Sequence, residues 1–319
     1  MKMQMKSNTT KSLALAALAA LTLTVQAGPA AAAAATAQPT AQPTAAQQVA
    51  PSGKPSTATN VYNTYEAMLK KPSQLAKAIA YLNEHIQEVS VSQATIMVLH
   101  LENALNKPAM ENRFFPQAIQ VKLNKVYKSG DSFESIIKRT SDKALKALLQ
   151  DAAASGYKLE TAEGMFFPVV DYAGFKKYSA YVKADIKAYI DIMAAESDQP
   201  RAKDGGLIIG YQQLTNRALA QEKFITQFPA SNRIQQIRNL FNSYKSITFY
   251  GLNNTPLFDY DSNAMQPNAI KGYNLILQYN KSKTSPYLTL LRDFMKVAAD
   301  NKYKKTAEVQ KFLDANLAE

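Results

Sequence analysis

Cysteine is missing from this chain, and so is tryptophan; histidine occurs only as His85 and His100. The first absence excludes disulfides, thiolate nucleophiles and Cys-based metal sites. A cysteine-free chain needs a core large enough to stand unaided, and residues 61–319 supply one: a domain near that length buries about three quarters of its unfolded surface. A site built on His85 and His100 would need Glu84, Glu88 or Glu102 to complete it across two helices, and a packing or surface role fits each ring more simply. No His-Glu-x-x-His or Gly-x-Ser-x-Gly occurs, so zinc-protease and acyl-transfer chemistry have no support. Gly205-Gly206-Leu-Ile-Ile-Gly210 lacks the Lys-Ser/Thr ending of a phosphate loop. No metal or cofactor is expected.

The N-terminus has the pattern of a secretory signal over residues 1–27. Lys2, Lys6 and Lys11 precede an Ala/Leu run from Ser12 to Val25, and Val25-Gln26-Ala27 offers a cleavage site. Retention as a membrane anchor is the alternative, although the run is short and Ala-rich for a span. Residues 28–60, rich in Ala, Pro, Thr and Gln, read as a disordered linker, because they lack large apolar groups to offset ordering entropy. No integral membrane span follows. The expected location is extracellular or in the cell wall. Formal charge is +12, and removal of Lys2, Lys6 and Lys11 leaves +9. The excess is diffuse and carries no recognition motif, which argues for an anionic cell-wall polymer or another envelope protein as partner and against nucleic acid.

From residue 61 onward the apolar spacing is helical. Leu75, Ile79, Leu82 and Ile86 form one stripe; Val182, Ile186, Tyr189, Ile190 and Met193 form another. Asp131, Asp142 (or Ser141), Ser231 and Ser285-Pro286 stand where helix caps are expected, and Gly130, Gly156 and Gly251 where helices end. These signals predict an all-α fold: a single domain of about ten helices over 61–319, with lobes 61–156 and 157–319 and one buried irregular or extended segment between them. That segment is Glu160–Tyr172, where Gly164 and Pro168 rule out a continuous helix and Met165–Val170 is apolar enough to lie buried.

Acids flank this segment. Glu163 and Asp171 in unlike environments would suit a general acid and base, as in cleavage of wall or extracellular polysaccharide. The structural alternative has Glu163 satisfying backbone N–H groups at Gly164 and Asp171 capping the next helix. Glu160 and Tyr172 are binding candidates beside them. Asp191 and Glu196 form a second acidic pair, with Asp191 solvated. The polar loop from Leu252 to Gln266 is a second place for a site, with Asn253 and Asn254 as binding candidates. Within it Asp259-Tyr-Asp261-Ser-Asn263 imitates the start of a calcium loop, but Ala264 and Ile270 replace the required Gly and Glu. Thirteen of the seventeen tyrosines lie beyond residue 150; such rings stack on sugars or, at helical positions such as Tyr189 and Tyr244, fill a core with the hydroxyl at its rim.

The stretches Thr161–Tyr172, Tyr189–Glu196 and Tyr250–Thr255 resemble secreted proteins of Gram-positive bacilli, a likeness covering most of residues 61–319. The resemblance implies export from a Gram-positive cell and carries over no functional residue. The expected function is that of a non-catalytic binding or structural component of the cell envelope or extracellular space. The alternative is a carboxylate-dependent polysaccharide hydrolase acting through Glu163 and Asp171.

Overall fold

The computed structural model describes residues 57–317; the expected signal and most of the expected linker lie outside them. Residues 57–60, assigned above to the linker, form the first turn of helix α1 (Thr57–Leu69). The described chain is mostly helical. It continues through α2 (Leu75–His85), α3 (Val91–Leu105), α4 (Glu111–Phe114), α5 (Gln117–Val126), α6 (Phe133–Arg139) and α7 (Lys143–Ala154). After a first hairpin come α8 (Ala184–Asp198), α9 (Tyr211–Gln227), α10 (Ile234–Tyr250), α11 (Pro267–Tyr279), α12 (Pro286–Asp300) and α13 (Ala307–Leu317). No described helix is long and apolar enough to cross a membrane.

The helix ends follow local chemistry. Ser90 and Gln93 form a reciprocal capping box on α3, Asp142 accepts the Leu145 N–H at the start of α7, and Ser285 accepts the Leu288 N–H at the start of α12. Each satisfies an amide that the first helical turn leaves unpaired. Asp131 behaves differently from its expected cap role: Ser132 caps α6. The Asp131 carboxylate instead accepts the Lys128 N–H at 2.6 Å and pairs with Arg139. Ser231 likewise sits just ahead of α10, where Arg233 is the capping position, and its hydroxyl donates to Asp185.

The segment expected to lie extended and buried is a strand paired with the residues just before it. Tyr157–Ala162 (β1) and Met165–Val170 (β2) form an antiparallel hairpin in continuous register from Tyr157↔Val170 to Ala162↔Met165. Its turn places Glu163 at φ 50° and Gly164 at φ 76°, the two left-handed positions of a two-residue hairpin turn. Phe166 and Pro168 are buried, whereas Met165 is exposed. The free edge of β2 is closed by Gln120 on α5, whose amide donates to Phe166 O at 2.7 Å and accepts from Phe166 N at 2.8 Å. Two shorter hairpins, β3–β4 (Ala202–Lys203 and Gly206–Leu207) and β5–β6 (Gly251–Leu252 and Thr255–Pro256), complete the strands. The three turns clasp one another. The Glu163 N–H donates to Asp204 Oδ1, and the Asn254 N–H donates to Gly205 O.

Buried apolar side chains form two clusters. The first runs from Val61 to Ala194 and takes in Phe166, Tyr172 and Tyr189, with Phe224 and Ile237 added from α9 and α10. The second joins Ile209, Leu214 and Ala218 to the C-terminal half of α10 and to α11–α13. The hairpin of residues 157–170 therefore belongs to the first cluster, and the apolar clusters divide after α8 rather than at residue 156. Helices α9 and α10 contribute to both.

Candidate functional site

Residues Tyr250 to Asn263 build a cleft. Helix α10 stops at Gly251, whose φ of 77° is left-handed. A Cβ there would stand 2.4 Å from Leu257 N and 2.5 Å from Thr255 O, so only glycine lets the chain turn back this tightly. The Leu257 N–H then donates to Tyr250 O at 3.0 Å, which fixes the β5–β6 hairpin beside the helix end. Downstream, Phe258 bridges to Met265. Between them Asp259 organises a turn: its Oδ1 accepts the Ser262 N–H at 2.8 Å, the Ser262 hydroxyl at 2.7 Å and the Asp261 N–H at 3.2 Å. The link between α12 and α13 seals the far wall, with the Lys305 N–H donating to Asn263 O at 2.8 Å.

The resulting cleft has a volume of ≈ 280 Å³. Phe249, Phe258 and Leu313 form an apolar floor. Tyr250 is 41% exposed and Tyr260 72% exposed, and both line the opening. The Tyr260 hydroxyl donates to Asn253 O at 3.2 Å, which turns the ring towards the hairpin. Asn253, Asn263 and Lys305 line the same cleft, and among the described residues no hydrogen bond or ion pair engages their side chains. Burial, with the charge of Asp314 behind it, raises the Tyr250 phenol above its ordinary range. The single carboxylate in the lining, Asp259, is held below its ordinary range by the Ser262 N–H and hydroxyl. It is committed to its own turn. The chemistry offered is a stacking surface with free amide and ammonium donors.

No protein-family model, curated protein or solved structure matches the chain.

The remaining sequence candidates are dispersed. Glu163 is exposed at the tip of the first hairpin, and Asp171 follows the far end of β2, where it accepts the Ala173 N–H and caps the 3₁₀ helix Tyr172–Tyr178. The six residues of β2 between them span about 20 Å. Carboxylates that cleave a glycosidic bond together stand about 5–10 Å apart. Glu163 and Asp171 thus do not form an acid–base pair. Glu160 accepts the Thr161 N–H and faces Lys203 at 3.7 Å, a strand-edge role. Tyr172, a binding candidate by sequence, is buried with its hydroxyl donating to Glu102 at 2.6 Å, out of reach of a ligand. Asn254 clamps the second hairpin by bonding Asp204 O and Gly205 O. Of the six candidates only Asn253 lines the cleft. His85 pairs with Glu88 and stacks on Tyr81, and His100 pairs with Glu66 at 2.8 Å, so the two rings take different partners.

Sequence reasoning missed Tyr250, Tyr260, Asn263 and Lys305 as site residues. The signal for Tyr260 and Asn263 was the polar loop itself, once its aromatic member is counted beside its acids; Tyr250 ends the preceding helix. Nothing local points to Lys305. The hairpins had a local signal in Glu163-Gly164 and Asp204-Gly205, both suited to tight two-residue turns.

Proposed function

We propose that this chain is a non-catalytic binding protein of the cell envelope or extracellular space, and that its tyrosine cleft holds a sugar ring of an envelope polymer. The observation that carries this reading is the exposed Tyr260, hydrogen-bonded to Asn253 O, lining a cleft with unengaged side chains of Asn253, Asn263 and Lys305. A rigid aromatic face stacks on the C–H face of a pyranose, and amides match hydroxyls because they both donate and accept. Prepositioning Tyr260 removes ordering entropy that binding would otherwise have to offset. Export is supported by the signal-like N-terminus, and an anionic polymer by the excess of basic residues.

The test is retention on purified wall polysaccharide at low and high salt, comparing the native chain with Tyr250→Ala/Tyr260→Ala. Loss of two stacked rings should weaken binding by about tenfold or more at either salt, since each stack contributes on the order of 1 kcal/mol. Equal retention of the two proteins, with matching circular dichroism, would reject the cleft as the site.

A further inference from the structure

A wider groove, ≈ 650 Å³ in volume, opens between the C-terminal end of α8 and the N-terminal half of α9. Arg217 lies on its inner side with a side chain only 10% exposed. Its Nη1 donates to Gln199 O at 2.8 Å and stands 3.4 Å from Glu196 Oε1. The other oxygen of Glu196 faces Arg201 at 3.4 Å, and the Tyr244 hydroxyl donates to Oε1. Arg201 also donates to Ser243 and covers the Tyr244 ring, 5.3 Å from its centroid. One carboxylate thus serves two guanidinium groups. Both contacts are long beside the ~2.7–2.9 Å of a strong charge-assisted bond.

The cationic surplus is carried towards the groove. Lys176 lines its rim, exposed and without an ion pair among the described residues. The rim acid Asp198 faces Lys158 at 3.3 Å. Helix α9 adds Gln212 and Asn216, four residues apart and therefore on one helical face. Both are exposed, and neither side chain bonds another described residue. A partly buried guanidinium without a full counter-charge is costly, and an anion entering from solvent offsets that cost.

We propose that this groove is an anion subsite for an acidic polysaccharide, with Arg217 and Lys176 holding a carboxylate or phosphate group and Gln212 and Asn216 bonding the neighbouring hydroxyls. It stands on observations separate from the tyrosine cleft, so failure of either site leaves the other untouched.

The experiment is titration calorimetry of the full chain with three probes of matched length: oligogalacturonate for the carboxylate, oligo(glycerol phosphate) for the phosphate, and neutral dextran. Arg217→Ala would also remove interior bonds, so the test rests on Lys176→Gln, Asn216→Ala and Ala220→Glu, all at exposed groove positions. Each should leave the thermal midpoint unchanged. At least one anionic probe should bind in the presence of Tyr250→Ala/Tyr260→Ala, and the preferred probe names the anion. Lys176→Gln should weaken it by about tenfold, and Ala220→Glu, which puts a carboxylate in the groove, by more. The proposal is overturned by dextran binding the Tyr250→Ala/Tyr260→Ala chain as well as the anionic probes do, by no anionic probe binding that chain, by groove variants matching wild type, or by an equal loss in Lys176→Gln and Lys296→Gln, a substitution of an exposed lysine outside the groove.

Discussion

Glu102 and Glu196 both sit among tyrosine hydroxyls and arginine side chains, and the two neighbourhoods differ in charge balance and access. At Glu102, which is 2% exposed, Oε1 accepts the hydroxyls of Tyr172 and Tyr189. Oε2 takes Arg233 through Nε at 2.8 Å and Nη2 at 2.7 Å. Arg233 is satisfied further by Asn103 at 2.9 Å and covers the Tyr189 ring. One anion meets one cation, and the cluster joins α3, the Tyr172 helix, α8 and the start of α10. At Glu196 one anion is spread over two cations at longer range, beside an open groove. The same residue types make a short, one-to-one ion pair at Glu102 and a longer, shared one at Glu196. Low dielectric is the reason: an unpaired charge is tolerated only where water or a ligand can reach it.

The largest effect that separates them should come from Glu102→Ala. It strands Arg233 in the interior, at a cost of about 3–5 kcal/mol, read as a lower midpoint in urea unfolding. Glu102→Leu with Arg233→Met should recover much of that loss. A cost near zero for the single variant would show the cluster to be solvated, erasing the contrast.

The closed cluster also predicts alkaline instability. Burial first, and then the neighbouring charges, raise the phenols of Tyr172 and Tyr189 above the ordinary 10.0. Below pH 10 both are protonated in folded and unfolded chains, and their full contribution is present. Above pH 10 the unfolded chain releases these protons and the folded chain does not, so stability falls by about 1.4 kcal/mol per pH unit for each tyrosine. Phenolate absorbance from these residues should appear together with loss of far-ultraviolet dichroism. Absorbance rising while helicity holds would mean that the phenols are open to water.

Glu196→Gln should cost less, about 1–2 kcal/mol, because its arginine contacts are longer, 3.4 Å against 2.7 Å, and its carboxylate is less buried than that of Glu102. It should also tighten anion binding, as the competing carboxylate is neutralised. A cost matching that of Glu102→Ala would place both clusters in the same class. The smallest effect belongs to Asp191→Asn, which breaks the exposed Lys187–Asp191 pair on α8. Its cost should stay within about 0.5 kcal/mol, giving a surface baseline on the helix that carries Glu196.

Much of the helical frame is legible from residues 61–319 alone. The stripe Leu75, Ile79, Leu82, Ile86 is buried as its spacing requires, and Gly156 ends α7 with the expected left-handed φ of 78°. The hairpins were less legible. Two-residue strands such as Ala202–Lys203 and Gly251–Leu252 are too short to show alternation, and β1 (Tyr-Lys-Leu-Glu-Thr-Ala) resembles a helix end until its turn is recognised. Asn253 was found because it lies in a polar loop. Glu196 was noticed for its charge, but its partners were not, because Arg217 and Tyr244 lie on other helices.

The amino-acid sequence by itself determined where most helices run and how several of them end, since side-chain periodicity and capping bonds reach only a few residues along the chain. It also excluded cysteine chemistry. Tertiary structure decided which charges face one another. Glu102 and Arg233 are 131 positions apart, and no local pattern distinguishes Glu102 from Glu196. What separates them is the packing around each carboxylate, which leaves the Glu102 side chain 3% exposed against one guanidinium and the Glu196 side chain 11% exposed between two.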